Sequence, residues 1–189
     1  MCRMWTIGLL LFLSACASDS PLPEQTDVTD WQPIGAPVWH VDSELISAGP
    51  HDGSGFLVSN SEYGDFRLSI EFWVEDDTNS GVFVRCARPE ELADINPDNC
   101  YEINIWDNHP VQDFRTGSIV KRVMPVAHVD TIGKWNRLVI VVEGQTISVV
   151  INDVLTAELA NAERPSGVIA LQYAGKQRLS FRNLLIVPL

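Results

Sequence analysis

The sequence predicts an all-β fold, a jelly-roll-type sandwich of two antiparallel sheets, on three observations. Short segments with a hydrophobic period of two recur along the body of the chain. Turn residues separate them about every ten positions, a spacing typical of sandwiches. The long apolar helices needed to cross between parallel strands are missing, which excludes a doubly wound α/β sheet. In chain order, Phe66, Leu68, Ile70, Phe72 and Val74 alternate with Arg67, Ser69, Glu71, Trp73 and Glu75, so one face of this strand is buried. Residues 81–86 set Val82 and Val84 opposite Phe83 and Arg85, and residues 100–106 set Tyr101, Ile103 and Ile105 opposite Glu102, Asn104 and Trp106. Residues 138–142 are apolar on both faces, as in a central strand. The Glu143-Gly144 turn leads into 145–151 as a hairpin, Asn152-Asp153 turns the chain toward 154–159, and 168–172 and 178–187 complete the pattern. One short helix is expected at 89–93, where Pro89 is followed by acidic residues.

The chain has 189 residues, 46% hydrophobic and 20% charged, which fits one domain with a full core and argues against wholesale disorder. With 13 Lys+Arg against 25 Asp+Glu the formal net charge is -12, so no nucleic-acid partner is expected, because phosphate recognition needs a basic face. Arg3, the apolar stretch 5–13 and the small residues Ser14 and Ala15 before Cys16 read as a secretory signal. The site resembles a bacterial lipobox, which makes Cys16 the lipidated first residue. The expected organisation is a signal peptide at 1–15, the lipidated cysteine and a flexible polar tether at 16–37, and a folded domain at 38–189. The expected location is the bacterial cell envelope, lipid-anchored, periplasmic or at the cell surface, with the membrane as partner through acyl chains. Cys2 falls in the signal and Cys16 is the anchor, so Cys86 and Cys100 remain to form a disulfide in an oxidising compartment. A metal site is the competing reading, weakened because neither cysteine has a Cys or His beside it at ligand spacing.

Strand phase also sorts the polar residues. Glu71, Arg85, Glu102, Asn104 and Gln172 all sit opposite apolar neighbours, and side-by-side strands would bring them to one sheet surface with Trp73 and Trp106. Carboxylate, guanidinium, amides and flat rings suit a sugar, whose C–H faces stack on aromatics and whose hydroxyls take forked hydrogen bonds. The alternative is a solvated outer face with an Arg–Glu pair worth under about 1 kcal/mol.

Six motifs then follow one another: Asn79-Ser80-Gly81-Val82-Phe83-Val84-Arg85, Cys100-Tyr101-Glu102-Ile103-Asn104-Ile105-Trp106-Asp107, Thr116-Gly117-Ser118-Ile119, Gly133-Lys134-Trp135-Asn136, Gly167-Val168-Ile169-Ala170-Leu171-Gln172 and Phe181-Arg182-Asn183-Leu184. In this order they resemble the 3-keto-disaccharide hydrolase domain family, a family-16-like glycoside hydrolase group, over about residues 38–189. The resemblance implies a concanavalin-like jelly-roll sandwich in exported bacterial proteins that act on 3-keto-glycosides, as hydrolases, lyases or hydratases, some with a divalent metal ion. Two positions depart from the family pattern. Ala174 stands where a His is common, and Asn104 where Gln is common.

Direct acetal hydrolysis needs two carboxyl groups about 5–5.5 Å or about 6.5–9.5 Å apart. The family-16 acids on alternate strand positions read here as Glu102, Asn104 and Trp106, so a carboxylate pair is not supported. A 3-keto sugar offers another route, because the ketone acidifies C2–H. A base removes that proton, an enolate forms, the C1 substituent leaves, and added water completes a net hydrolysis. Glu102 is the candidate base, and Arg85 the candidate partner of the oxyanion or of the carboxylate. Asn104 and Gln172 orient hydroxyls, Glu71, Trp73 and Trp106 complete the binding surface, and Asp107 and His109 are candidate metal ligands. The alternatives are a non-catalytic carbohydrate-binding lipoprotein and an envelope protein with an apolar contact surface.

Overall fold

The computed structural model describes residues 25–37, 39–76 and 78–189; Cys16 and the expected signal lie outside them. The strands are β1 (Gln32–Gly35), β2 (Trp39–Val41), β3 (Ile46–Ala48), β4 (Ser54–Tyr63), β5 (Phe66–Val74) and β6 (Asn79–Cys86), then β7 (Tyr101–Ile105), β8 (Trp135–Glu143), β9 (Thr146–Ile151), β10 (Val154–Leu159), β11 (Gly167–Ala174) and β12 (Leu179–Pro188). They form a five-stranded sheet in the order β1-β4-β11-β6-β7 and a seven-stranded sheet in the order β10-β9-β8-β5-β12-β3-β2, with every pairing antiparallel. The all-β sandwich expected from the alternating segments is the fold.

The core follows from that alternation. Phe66, Leu68, Ile70 and Phe72 of β5 and Leu138, Ile140 and Val142 of β8 are fully buried, in one cluster with Val82, Val84, Ile103, Ile105, Ile169 and Leu171 of the other sheet. Each such side chain contributes roughly 1.5–3 kcal/mol of burial. A second, smaller cluster joins Phe56, Val58, Phe83, Val168 and Ala170 to Cys86, Ile95 and Cys100, with Leu92 packed against it. These strand residues have the opposite phase, so the cluster covers part of the outer face of the five-stranded sheet. Residues 87–99 supply the cover, and the Cys86–Cys100 disulfide ties both of its ends, as the cysteine count predicts.

Two expectations are corrected. The helix expected at 89–93 is a single 3-10 turn, Leu92–Asp94. The Asp94 carboxylate accepts the Glu90 and Glu91 N–H groups at 2.8 and 3.0 Å, which closes the turn locally instead of starting a helix. The expected tether at 16–37 is, from residue 25 onward, part of the sandwich. β1 pairs with β4, Thr26 N–H donates to the Leu184 carbonyl at 2.8 Å, and Val28 and Trp31 are buried. Two isolated apolar residues give no period for sequence reasoning to detect, yet they seal the end of the core.

Candidate functional site

Strand register builds the site on the outer face of the five-stranded sheet. One row runs Phe56–Gln172–Gly81–Asn104 across β4, β11, β6 and β7, and the next runs Val58–Ala170–Phe83–Glu102. A third begins Ser54–Ala174–Asn79, beside Trp106. The parity expectation therefore holds for Glu102, Asn104, Gln172 and Trp106, which β7 and β11 bring to one face with β6 between them. Gly81 lies between Gln172 and Asn104, and a Cβ there would stand 3.1 Å from the Ile103 carbonyl and 3.4 Å from Gln172 Oε1. The bare backbone lets the Gln172 side chain lean over the strand.

Glu102 lies at the border between the covered and the open parts of this face. Its neighbours in phase are Cys100, inside the smaller apolar cluster, and Asn104, and the residue is 8% exposed. Burial pushes its carboxyl up to about 7, partly opposed by the positive charge of Lys121. Asn104 is buried too; its side-chain amide donates to the Phe114 carbonyl, and its Oδ1 accepts the Ile105 N–H at 2.9 Å. Residues 107–115 thus pass over Asn104, and 116–120 extend the sheet beyond β7 through Asn104 N–H to Ser118 O (3.1 Å) and Val120 N–H to Glu102 O (2.9 Å). The oxygens Gln172 Oε1, Ser118 Oγ and Thr116 Oγ1 are buried and have no hydrogen-bond partner among the described residues. A cleft of about 310 Å³, lined by Asn79, Trp106, Ala174, Gly175, Lys176 and Gln177, opens at the end of the face marked by Trp106. It contains a further unpartnered acceptor, Gln177 Oε1. Buried acceptors without donors are costly in a protein alone and natural in a site that receives hydroxyl groups.

The remaining sequence candidates do not join this face. Arg85 takes a left-handed backbone (φ 51°), and Phe83 to Cys86 of β6 oppose only Ala170 to Val168 of β11, a bulge that inserts one residue and breaks the parity. The Arg85 side chain, 1% exposed, instead bonds the turns at Gly64 and Gly144, with Nη1 to Gly144 O at 2.8 Å and Nη2 to Gly64 O at 3.2 Å and to Asp65 Oδ1 at 2.9 Å. Glu71 and Trp73 belong to β5 and therefore to the outer face of the seven-stranded sheet. Arg182 Nε and Nη2 both lie 2.7 Å from Glu71 Oε2, and the Arg182 guanidinium sits 4.0 Å from the centre of the Trp135 ring, itself paired in register with Trp73. Burial pushes the Glu71 carboxyl up, but the Arg182 and Asn183 hydrogen bonds and the charges of Arg182 and Arg137 outweigh it and hold the carboxyl below its ordinary value.

The candidate metal ligands are engaged elsewhere. Asp107 Oδ2 accepts the Thr131 N–H at 2.7 Å, and Oδ1 accepts the Thr131 hydroxyl at 2.8 Å. His109 Nδ1 lies 3.0 Å from the Val111 nitrogen, and the His109 ring stands edge-on to Trp106 at 4.6 Å. Among the described residues no group of three His, Cys, Asp or Glu side chains converges. Asn79, Gln177 and Lys121 are the site residues that sequence reasoning missed. Asn79 has the phase of Gly81 and Phe83 and was legible one turn of the pleat earlier; Gln177 and Lys121 lie in loops with no periodic signal.

The family model for the 3-keto-alpha-glucoside-1,2-lyase-like domain matches residues 20–187. A solved structure from Parabacteroides distasonis, provisionally assigned as a glycosyl hydrolase, is similar at 28% identity and a TM-score of 0.67 over 80% of this chain and 90% of that one. The carbohydrate-binding module CBM66 from Bacillus subtilis is similar at 16% identity and a TM-score of 0.61, covering 82% of this chain and 94% of the module. The exoplasmic/lumenal domain of VIP36, solved with Ca2+ and mannose, shares 10% identity and a TM-score of 0.61 over 84% of this chain and 83% of that domain. The last two likenesses concern the fold alone. No curated protein matches the sequence.

Proposed function

The chain belongs to the 3-keto-alpha-glucoside-1,2-lyase-like domain family, and on that premise we propose that it is an envelope lipoprotein that cleaves 3-keto-glycosides by elimination, with Glu102 as the base. The observation that carries this reading is the state of Glu102. It is the only acid in the three rows that run across β4, β11, β6 and β7 beside Gly81, and burial pushes its carboxyl up to about 7. A lone carboxylate does not make the pair that acetal hydrolysis requires. A single base with a pKa near the working pH is what proton abstraction beside a ketone requires. The withdrawal of Arg85 is consistent with this role, because a guanidinium paired with Glu102 would lower its pKa and weaken the base.

Glu102 accepts the C2 proton, and the C–H electron pair forms an enolate on the C3 oxygen. The enolate re-forms the ketone as a C1=C2 double bond is made, the C1–O bond breaks with its electrons leaving on the aglycone oxygen, and that oxygen takes the proton back from Glu102. Addition of water across that double bond completes the hydrolysis. In this reading the side-chain amides of Gln172 and Asn79 hold the ketone oxygen and neighbouring hydroxyls, work that neutral amides perform in preorganised sites. Trp106 offers a ring for the sugar face in the cleft of about 310 Å³.

Incubation of the purified protein with 3-keto-α-glucosides tests this. The expected result is release of the aglycone, lost in Glu102→Gln; release that persists in the variant removes the assignment. A second reading, a carbohydrate-binding protein without turnover, is favoured by one observation: Ala174, in place of the common His, lines the cleft. It predicts saturable sugar binding with no product. Anchoring at Cys16 predicts incorporation of labelled palmitate by cells expressing the full chain and none with Cys16→Ala.

A further inference from the structure

A second cleft lies beside the site just described. It measures about 380 Å³ and is lined by Asp113, Phe114, Lys121, Arg122, Val123 and Met124. Two features join it to the reaction centre. The Phe114 carbonyl accepts the Asn104 side-chain amide, so one wall of the cleft is bonded to the site. Val120, bonded to the Glu102 carbonyl at 2.9 Å, leads directly into Lys121 and Arg122. These two residues sit on a tight turn closed by Arg122 N–H and Val123 N–H to Ile119 O at 2.9 and 2.8 Å. Lys121 holds the left-handed backbone there (φ 62°), a conformation that costs a residue with a Cβ about 1–2 kcal/mol.

The chemistry of the cleft differs from that of the protein around it. The chain carries a net charge of -12, yet two cations and one carboxylate line this space. Lys121 is bonded to Asp98 at 2.8 Å. Arg122 lies 5.7 Å from the centre of the Tyr101 ring and forms no ion pair among the described residues. Phe114 and Met124 supply apolar surface, and Met124 is 58% exposed. A guanidinium without a carboxylate partner, next to a ring and a thioether, suits a flat apolar group that ends in an anion.

Building on the elimination reading, we infer that this cleft is the leaving-group subsite and that it selects aglycones with an aromatic ring bearing a carboxylate, held by Arg122. The C1 substituent departs past Glu102 into the cleft, where its ring lies against Phe114 and Met124 and its carboxylate meets the guanidinium. Asp113 limits the net positive charge and disfavours aglycones that carry a cation.

The test compares the 3-keto-α-glucosides of 4-hydroxybenzoate and of its methyl ester. In the wild type, kcat/KM is expected to favour the acid, and Arg122→Met is expected to lower the acid-to-ester ratio about three- to fivefold, the range of a solvent-exposed ion pair. Arg122→Lys is expected to retain most of the preference, which separates charge from packing. A ratio unchanged by Arg122→Met overturns the inference. Calorimetric titration of the full chain with free 4-hydroxybenzoate gives a readout that needs no turnover. Binding weakened about three- to fivefold in Arg122→Met supports the subsite even if neither glycoside is cleaved, an outcome that removes the elimination reading alone. Equal binding by the two proteins, or none, overturns the subsite.

Discussion

Glu71 and Glu102 have the same phase in their strands, each an outward-facing acid between apolar neighbours, and the two sheets treat them in opposite ways. On the seven-stranded sheet Glu71 meets Arg182 and Arg137 in register and is held below its ordinary pKa. On the five-stranded sheet Glu102 has Phe83 as its partner in register and Cys100 two residues before it, and burial raises its carboxyl to about 7. One acid is a member of a solvated charge ladder; the other is buried without an ion-pair partner at hydrogen-bond distance among the described residues. The side chain is identical, and what differs is the cross-strand partner and the cover supplied by residues 87–99. A glutamate's role on a sheet is set by its register neighbours more than by its exposure pattern along the chain.

The largest effect expected from breaking this contrast is on turnover. Glu102→Gln should reduce cleavage of a 3-keto-glycoside by about 10²–10⁴-fold, the usual contribution of a general base. The wild-type kcat/KM should rise with pH through about 7 as the carboxylate forms. Stability should move the other way. The folded pKa of about 7 lies above the ordinary 4.5, so the folded state binds the proton more tightly and loses stability as pH rises between those values. The loss is on the order of 3 kcal/mol, and Glu102→Gln should be more stable than the wild type at pH 8 by up to that amount. Urea denaturation at pH 5 and pH 8 measures both.

Next in size is removal of the disulfide. Replacing Cys86 and Cys100 together with Ala should cost about 3 kcal/mol by the chain-entropy account of a loop of this length. It should also loosen the cover over Phe83 and Glu102, so the midpoint of the pH–rate profile should fall below about 7 toward ordinary carboxylate values. A midpoint that stays in place would assign the burial of Glu102 to other parts of the molecule. Arg85→Met should cost about 2 kcal/mol, because the Gly64 and Gly144 carbonyls and Asp65 lose a buried donor. It should leave the pH–rate midpoint unmoved, since the Arg85 side chain bonds the Gly64 and Gly144 turns and not the face that carries Glu102. A shift there would return Arg85 to the site. The smallest effect is expected for Glu71→Gln, under about 1 kcal/mol at neutral pH. The stability that Glu71 contributes is present above its ordinary pKa and fades as pH falls through its lowered value, so thermal melts of the two proteins should converge in acid.

Much of the fold was legible because alternation is a local property. The alternation over 66–75 overruns β5 by one residue, and 154–159 match β10 to the residue. β1, β2 and β3 escaped notice because strands of four, three and three residues are too short to show a period. At the site, Glu102, Asn104, Gln172 and Trp106 were legible by phase, and their strands do adjoin β6. Arg85 was misplaced because phase assumes an uninterrupted pleat, and a one-residue bulge reverses it. Glu71 and Trp73 were misplaced for a different reason: phase says which way a side chain points within a sheet and is silent on which sheet the strand joins.

The residues alone determined the all-β class, the buried sides of the longer strands, the Cys86–Cys100 pairing and, through six ordered motifs, the family. These are local or compositional properties, written in spacing and residue type. Only the tertiary structure decided that β5 and β7 belong to different sheets, that residues 87–99 cover part of the outer face, and that Glu102 sits at the edge of that cover. Those outcomes depend on pairings between segments distant in the chain, whose energies are settled by the packing of the whole sandwich and leave no trace in the period of any one strand.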